Sequence, residues 1–281
     1  MRGIRVDVRK SAVLLVAGVA LAGCNGTEQA EPRAQEGSPT ATAPAKSPST
    51  LTPTSTLTPT SRPKPTSPPA PTPTRRRLKP GAKGPEVEAL QRRLKELNYD
   101  PGKVDAKYGP STQMAVWAFQ AVNRLKQKST LGPSFWEALD APKEPRPIAK
   151  KREKDRVDVD LKRQYLVLYE NGRPRLISHI SSGSGEYYCA KDRGATVPRC
   201  RYATTGTGDF RTGRRFTGWE TSPLGRLYNP IYFNGGIAFH GALDVPAYPA
   251  SHGCVRMPMH IAEYFPGLLG TDVPVHVRRP R

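Results

Sequence analysis

Between Val87 and Leu97, apolar side chains recur at Val87, Leu90, Leu94 and Leu97, with Lys, Arg and Glu between them. That spacing predicts one buried face of a helix. Asn98-Tyr99-Asp100-Pro101-Gly102 then breaks it. A second helix is predicted from Ser111, as N-cap, through Met114, Ala115, Trp117, Ala118, Phe119 and Val122. Pro133 to Leu139 reads as a short third helix. The expectation for residues 78–143 is a small three-helix bundle with Trp117, Phe119 and Trp136 packed inside. Core packing, rather than stacking on a ligand, is the role expected of those aromatics.

Beyond Arg156 the period shortens to two. Val157-Asp158-Val159-Asp160 alternates, and Gln164 to Tyr169 is rich in β-branched and aromatic residues. Asn171-Gly172 is a hairpin turn signal, with Arg175 to Ile180 as the returning strand. Ile237-Ala238-Phe239 and Val273 to Val277 read as later strands, and Pro258 to Phe265 as a short helix. Residues 156–281 are therefore expected to form a mainly β domain, a sandwich or partly open barrel.

The start of the chain has a different pattern. A charged segment, Met1 to Lys10, precedes the apolar run Ala12 to Leu21. That run is too short to span a membrane and reads as a secretory signal. Leu21-Ala22-Gly23-Cys24 resembles the lipobox of bacterial lipoproteins, which implies residues 1–24 as a signal peptide and Cys24 as the lipidated residue. Residues 25–77 follow as a linker. Between Ser38 and Thr74, 28 of 37 residues are Pro, Ser or Thr. Such a segment buries too little apolar surface to offset its ordering entropy and is expected to be an extended tether.

The net charge of +20 raises the question of nucleic acid. The excess is distributed, +7 through Leu78, +4 to Lys143 and +9 beyond, with no concentrated basic helix. A secreted chain is also out of reach of cytoplasmic nucleic acid. The field suits an anionic cell wall or anionic lipid headgroups.

Candidate chemistry lies at Ser251-His252-Gly253-Cys254, with His240-Gly241 shortly upstream. A thiol is mostly protonated at neutral pH and needs a base to become a nucleophile. Backbone N–H groups must face the oxyanion that forms when it attacks a carbonyl. Gly253 allows close backbone approach to a substrate, and His240 and His252 each offer an imidazole.

Two resemblances organise these residues. Gly81, Gly84, Val87, Leu90-Gln91, Leu94, Tyr99, Gly102, Val104-Asp105, Tyr108-Gly109 and Phe119-Gln120 resemble the peptidoglycan-binding-1 family. Where that family usually has Asp-Gly, this chain has Asp105-Ala106. The resemblance implies a wall-binding module. Ile237-Ala238-Phe239-His240-Gly241 and Ser251-His252-Gly253-Cys254-Val255-Arg256-Met257 resemble the signature of the YkuD family of L,D-transpeptidases. That resemblance implies Cys254 as nucleophile, His240 as general base and the Gly241 carbonyl as the group orienting it. Ser251, His252 and Gly253 shape the site, and Arg256 and Tyr232 are assigned to substrate binding. Where many members carry Thr-Pro-x-Gly, this chain has Thr204-Thr205-Gly206-Thr207-Gly208.

The implied reaction is cysteine acyl transfer that forms 3-3 cross-links between peptidoglycan stems, without cofactor or metal. Trimming of stems as an L,D-carboxypeptidase, and an idle wall-binding lipoprotein, are the alternatives. Zinc held by His240, His252 and Cys254 is a rival, although it lacks a fourth ligand. Cys189 and Cys200 remain for a disulfide, which is favoured outside the cytoplasm. Both staying reduced, or one joining Cys254, are the other possibilities. A monomer on the outer face of the membrane is expected.

Overall fold

The structure is a computed structural model that describes residues 77–280. The signal-like run, Cys24 and almost all of the Pro/Ser/Thr-rich stretch lie outside the described residues. Three helices come first: α1 (Pro85–Glu96), α2 (Pro110–Val122) and α3 (Pro133–Asp140). Each follows a glycine and opens on a proline, whose missing N–H has no intrahelical partner to lose there. Ser111 is therefore not the N-cap. The helix starts one residue earlier, after Gly109, and no side chain caps it.

Gln91 binds the α1–α2 connection to the bundle. Its amide donates to Asp105 and Thr112, and its carbonyl accepts from the Asp105 and Ala106 N–H groups. Ala106 is held there at φ 58°, a backbone region that favours glycine.

The strands that follow are β1 (Arg156–Asp160), β2 (Tyr165–Glu170), β3 (Arg173–His179), β4 (Tyr187–Ala190) and β5 (Arg199–Tyr202). Then come β6 (Gly208–Arg211), β7 (Trp219–Ser222), β8 (Gly225–Asn234), β9 (Ile237–Ala242) and β10 (Val255–Pro258). Helix α4 (Met259–Leu268) leads to β11 (Pro274–Arg278). One sheet has the order β3-β2-β1-β11-β6 and a second β10-β9-β8-β7, while β4 and β5 form a separate hairpin. Most neighbours are antiparallel, but β1 with β11 and β9 with β10 run parallel. The Asn171-Gly172 turn between β2 and β3 takes positive φ at both residues, as a tight hairpin requires.

Alternation along β2 serves two cores at once. Leu166 and Leu168 meet Ile231, Phe239, Val255 and Phe265 between the two sheets. Tyr165, Val167 and Tyr169, together with Ile177, face the other way and join the core of the helices, which includes Leu94 and Phe119. β1 is buried throughout as well, but differently: Val157 and Val159 join the core between the sheets, while Arg156 and Asp158 pair with each other on the opposite face. Phe119 is fully buried in the bundle as expected, but Trp117 and Trp136 are only half-buried. Trp117 packs edge-on against His179 of β3, with ring centroids 5.2 Å apart. It is an interface residue, not a bundle-core residue. Helix α4 is tied to the bundle as well, since Tyr264 donates to the Asp100 carboxylate at 2.5 Å.

Candidate active site

Strands β9 and β10 place the chemistry. Their parallel register sets Arg256 opposite His240 and Val255 opposite Phe239. Cys254 immediately precedes β10, two residues before Arg256, so alternation puts it on the same face as Arg256 and His240. Gly241 follows from packing. A Cβ there would lie 2.7 Å from Ala262 and 3.0 Å from the Met259 sulfur, so only glycine lets α4 sit against this strand.

His240 is buried, and its Nδ1 lies 2.9 Å from the Gly241 carbonyl oxygen. A carbonyl only accepts, so Nδ1 carries the proton and Nε2 keeps a lone pair. Burial pushes the His240 pKa down to about 4, against the pull of the Gly241 carbonyl and with help from the Arg256 charge. The imidazole is therefore neutral at working pH. Burial also pushes the Cys254 thiol up, while the Ala238 backbone N–H and Arg256 draw it back. At rest the thiol faces the Gly236 carbonyl at 3.7 Å. The resting pair is a neutral thiol and a neutral base.

The turn carrying Cys254 is closely bonded. Ser251 donates its hydroxyl to the Cys254 carbonyl at 2.5 Å and accepts the Gly253 N–H at 3.0 Å. Gly253 has φ 136°, and a Cβ there would meet Ile237 at 2.8 Å. The Gly253 N–H is thus already occupied by Ser251. His252 is exposed and stacks edge-on against Tyr188 of β4 at 4.8 Å.

These residues open into a cavity of about 1100 Å³, lined by His240, Cys254 and Arg256 and walled by Tyr188, Trp219 and Glu220. Tyr232 lines it too, but its hydroxyl donates to Glu220 at 2.9 Å and the Arg214 guanidinium covers its ring at 3.9 Å. Burial works to raise the Glu220 pKa, yet Arg214, Tyr232 and Arg193 outweigh it and keep the carboxylate ionised. Across the cavity, Arg193 donates to the Thr221 carbonyl at 2.8 Å, which joins the β4–β5 hairpin to β7. Cys189 and Cys200 are bridged within that hairpin, and Cys254 is free. Among the described residues, no three His, Cys, Asp or Glu side chains are arranged to hold a metal ion.

The profile of the YkuD family, an L,D-transpeptidase catalytic domain, matches residues 154–277. That of the PG_binding_1 family, a peptidoglycan binding domain, matches residues 83–139. No curated protein shows a match to the chain. Among solved structures, an L,D-transpeptidase from Xylanimonas cellulosilytica is 39% identical with a TM-score of 0.66, over 75% of this chain and 100% of that one. The chain belongs to the L,D-transpeptidase family. Another L,D-transpeptidase, from Stackebrandtia nassauensis, is 20% identical at a TM-score of 0.42, over 72% of this chain and 96% of that one. As a YkuD-type L,D-transpeptidase with a peptidoglycan-binding region, the protein acts on peptidoglycan.

Two features of this L,D-transpeptidase escape the motif. Thr205 lies in the segment that departs from the common Thr-Pro-x-Gly. Its buried hydroxyl donates to the Gly253 carbonyl at 2.6 Å and accepts the Gly183 N–H at 2.9 Å. The departure therefore carries a clamp on the Cys254 turn, which a threonine in a Thr/Gly-rich loop does not announce. The second feature is the disulfide hairpin, whose Tyr188 and Arg201 line the cavity. Its paired cysteines were its only sequence signal. Among the described residues, no helix is long and apolar enough to cross a membrane.

Proposed function

We propose that the chain is a cysteine acyltransferase that forms 3-3 cross-links between peptidoglycan stems. The observation that carries this reading is the tautomer of His240: Gly241 holds the proton on Nδ1 and leaves Nε2 as a base on the same sheet face as Cys254. His240 Nε2 takes the thiol proton as sulfur attacks the carbonyl joining the third stem residue to a terminal D-alanine. The Cys254 N–H is the remaining candidate oxyanion donor in the turn, because Gly253 donates to Ser251. The tetrahedral adduct collapses, the imidazolium protonates the departing D-alanine amine, and a thioester remains. The side-chain amine of a second stem's third residue then attacks the thioester, forms the amide and restores the thiol.

Arg256 supplies a positive charge on this face, suited to the carboxylate of the terminal D-alanine. Tyr232 offers the edge of its ring, its hydroxyl being held by Glu220. The Leu21-Ala22-Gly23-Cys24 pattern supports lipid attachment at Cys24, with catalysis outside the membrane. Radiolabelled palmitate incorporation that persists in Cys24→Ser would refute that attachment. For the reaction, the test is incubation with purified tetrapeptide muropeptides and mass analysis of the products. Cross-linked dimers lost in Cys254→Ala are the expected result. Trimmed tripeptides alone would identify a carboxypeptidase, and dimers made by Cys254→Ala would refute the nucleophile.

A further inference from the structure

The hairpin β4–β5 has two faces of different character. Its register pairs Tyr187 with Tyr202, Tyr188 with Arg201 and Cys189 with Cys200. Strand alternation therefore puts Tyr188 and Arg201 on one face and the tyrosine pair with the disulfide on the other. The first face is committed to the cavity. Tyr188 stacks on His252, and Arg201 donates to the Tyr188 hydroxyl at 2.9 Å and to Asp192 at 2.6 Å. The second face is covered by nothing in the chain's described part. Tyr187 and Tyr202 are 62% and 65% exposed, with ring centroids 5.1 Å apart. The bridge one register step away holds that pair in place.

We infer that this outer tyrosine face is a glycan-binding platform that lays a peptidoglycan sugar strand beside the catalytic cavity. The inference rests on the wall-substrate reading above and adds a site outside the reacting residues. Large exposed aromatic pairs mark interaction surfaces. The flat apolar C–H faces of pyranose rings stack on such rings, and a sugar polymer presents those faces repeatedly along its length. Position favours this occupant. The platform and the cavity wall are opposite faces of one two-stranded ribbon, and Tyr202 also reaches the cavity rim. Stem peptides are attached covalently to the sugar strand, so a strand lying on the ribbon has its stems within reach of Cys254. Charge favours it too. Asp192, the hairpin's acid, is paired with Arg201, and Arg193 is turned to Glu220 and Thr221, which leaves Lys191 and Arg199 to meet the carboxylates that stems carry.

The test uses the full chain and its Tyr187→Ser/Tyr202→Ser and Tyr187→Phe/Tyr202→Phe variants. The probe is a stem-free glycan oligomer of alternating N-acetylglucosamine and N-acetylmuramic acid, with binding followed by calorimetry. The Ser variant should lose one class of glycan sites, with affinity at that class weakened at least tenfold, and the Phe variant should keep it. Turnover of a free tetrapeptide without sugar should stay within twofold of wild type in both. Unchanged glycan binding by the Ser variant would overturn the inference. So would an equal loss on the free tetrapeptide, or a concentration-dependent dimer of the wild type that the Ser variant breaks while still binding glycan. If the wild type fails to turn over tetrapeptide at all, the proposed reaction fails, while the glycan isotherm still decides the platform.

Discussion

Thr205 donates its hydroxyl to the carbonyl of Gly253, 48 positions further along the chain, and the two groups are 2.6 Å apart. The same oxygen accepts the Gly183 N–H, so one buried side chain satisfies two backbone groups around the Cys254 turn. In Thr205→Val both would be left unpaired, at a cost of about 1–3 kcal/mol each. The variant should melt at a lower temperature and lose more in kcat than in KM. Thr205→Ser should recover most of the turnover. Steady-state kinetics beside thermal melts check this, and full activity in Thr205→Val would remove its role in positioning.

His179 and His240 are both buried, and desolvation pushes each pKa down to about 4. An unfolded imidazole titrates near 6.5, so below that pH the unfolded chain binds protons that the folded chain refuses. Their contribution is fully present above pH 6.5 and is lost as pH falls toward 4. The loss amounts to roughly 3 kcal/mol for each histidine across that window. Urea midpoints at pH 7 and pH 4.5 measure it. His179→Gln should reduce the pH slope by about half, whatever it does to stability at pH 7. A flat profile in the wild type would contradict the buried neutral state.

Ala106 occupies a left-handed backbone position, at φ 58°, where related modules usually carry glycine. Ala106→Gly should relieve that strain and stabilise the chain by about 1 kcal/mol, partly offset by the greater freedom of the unfolded chain. Chemical denaturation decides it, and a lower midpoint in the glycine variant would show that the loop is not strained.

The Cys189–Cys200 bridge closes a short loop in an exposed hairpin. In the chain-entropy account such a loop contributes about 3 kcal/mol. Cys189→Ser/Cys200→Ser should lower stability and loosen the Tyr188 contact with His252. Hydrogen exchange should then rise across 187–202 without spreading into β9. Spreading into β9 would mean that the hairpin supports the sandwich rather than sitting on it.

Deleting residues 78–143 would uncover Tyr165, Val167, Tyr169 and Ile177, which the helices now bury. The truncated chain should aggregate or melt well below the full chain, because a continuous exposed apolar face of that kind is not tolerated in solution. Static light scattering on the purified fragment checks this. A soluble, monomeric and equally stable fragment would show the two parts to be separable.

Period and motif alone located much of the molecule. Val87, Leu90 and Leu94 face the bundle core as their spacing predicts, the Asn171-Gly172 hairpin appears where read, and the Ile237-Ala238-Phe239 strand does too, though it runs on through His240 to Ala242. The longest strand, β8, was not legible. Asn229 at φ 47° and Pro230 interrupt its alternation with a bulge, which looks like a loop from the residues alone. Trp117 was misread because an apolar residue on a helix does not reveal which neighbour it meets. At the site, the pattern singles out His240 and Cys254, and strands β9 and β10 bring them to one sheet face. Thr205 was not evident, since what it holds is backbone from a distant turn, and backbone leaves no residue-type signal.

The double-sided burial of the first sheet has a consequence for how the wall is worked. The helices of the peptidoglycan-binding region and the strands that carry His240 and Cys254 pack through opposite faces of that one sheet, which sets a fixed offset between them. With that packing intact, a distant stem is not reached by swinging one part against the other. Neighbouring strands must bring a stem to that offset, and the spacing of the mesh becomes a selector alongside its chemistry.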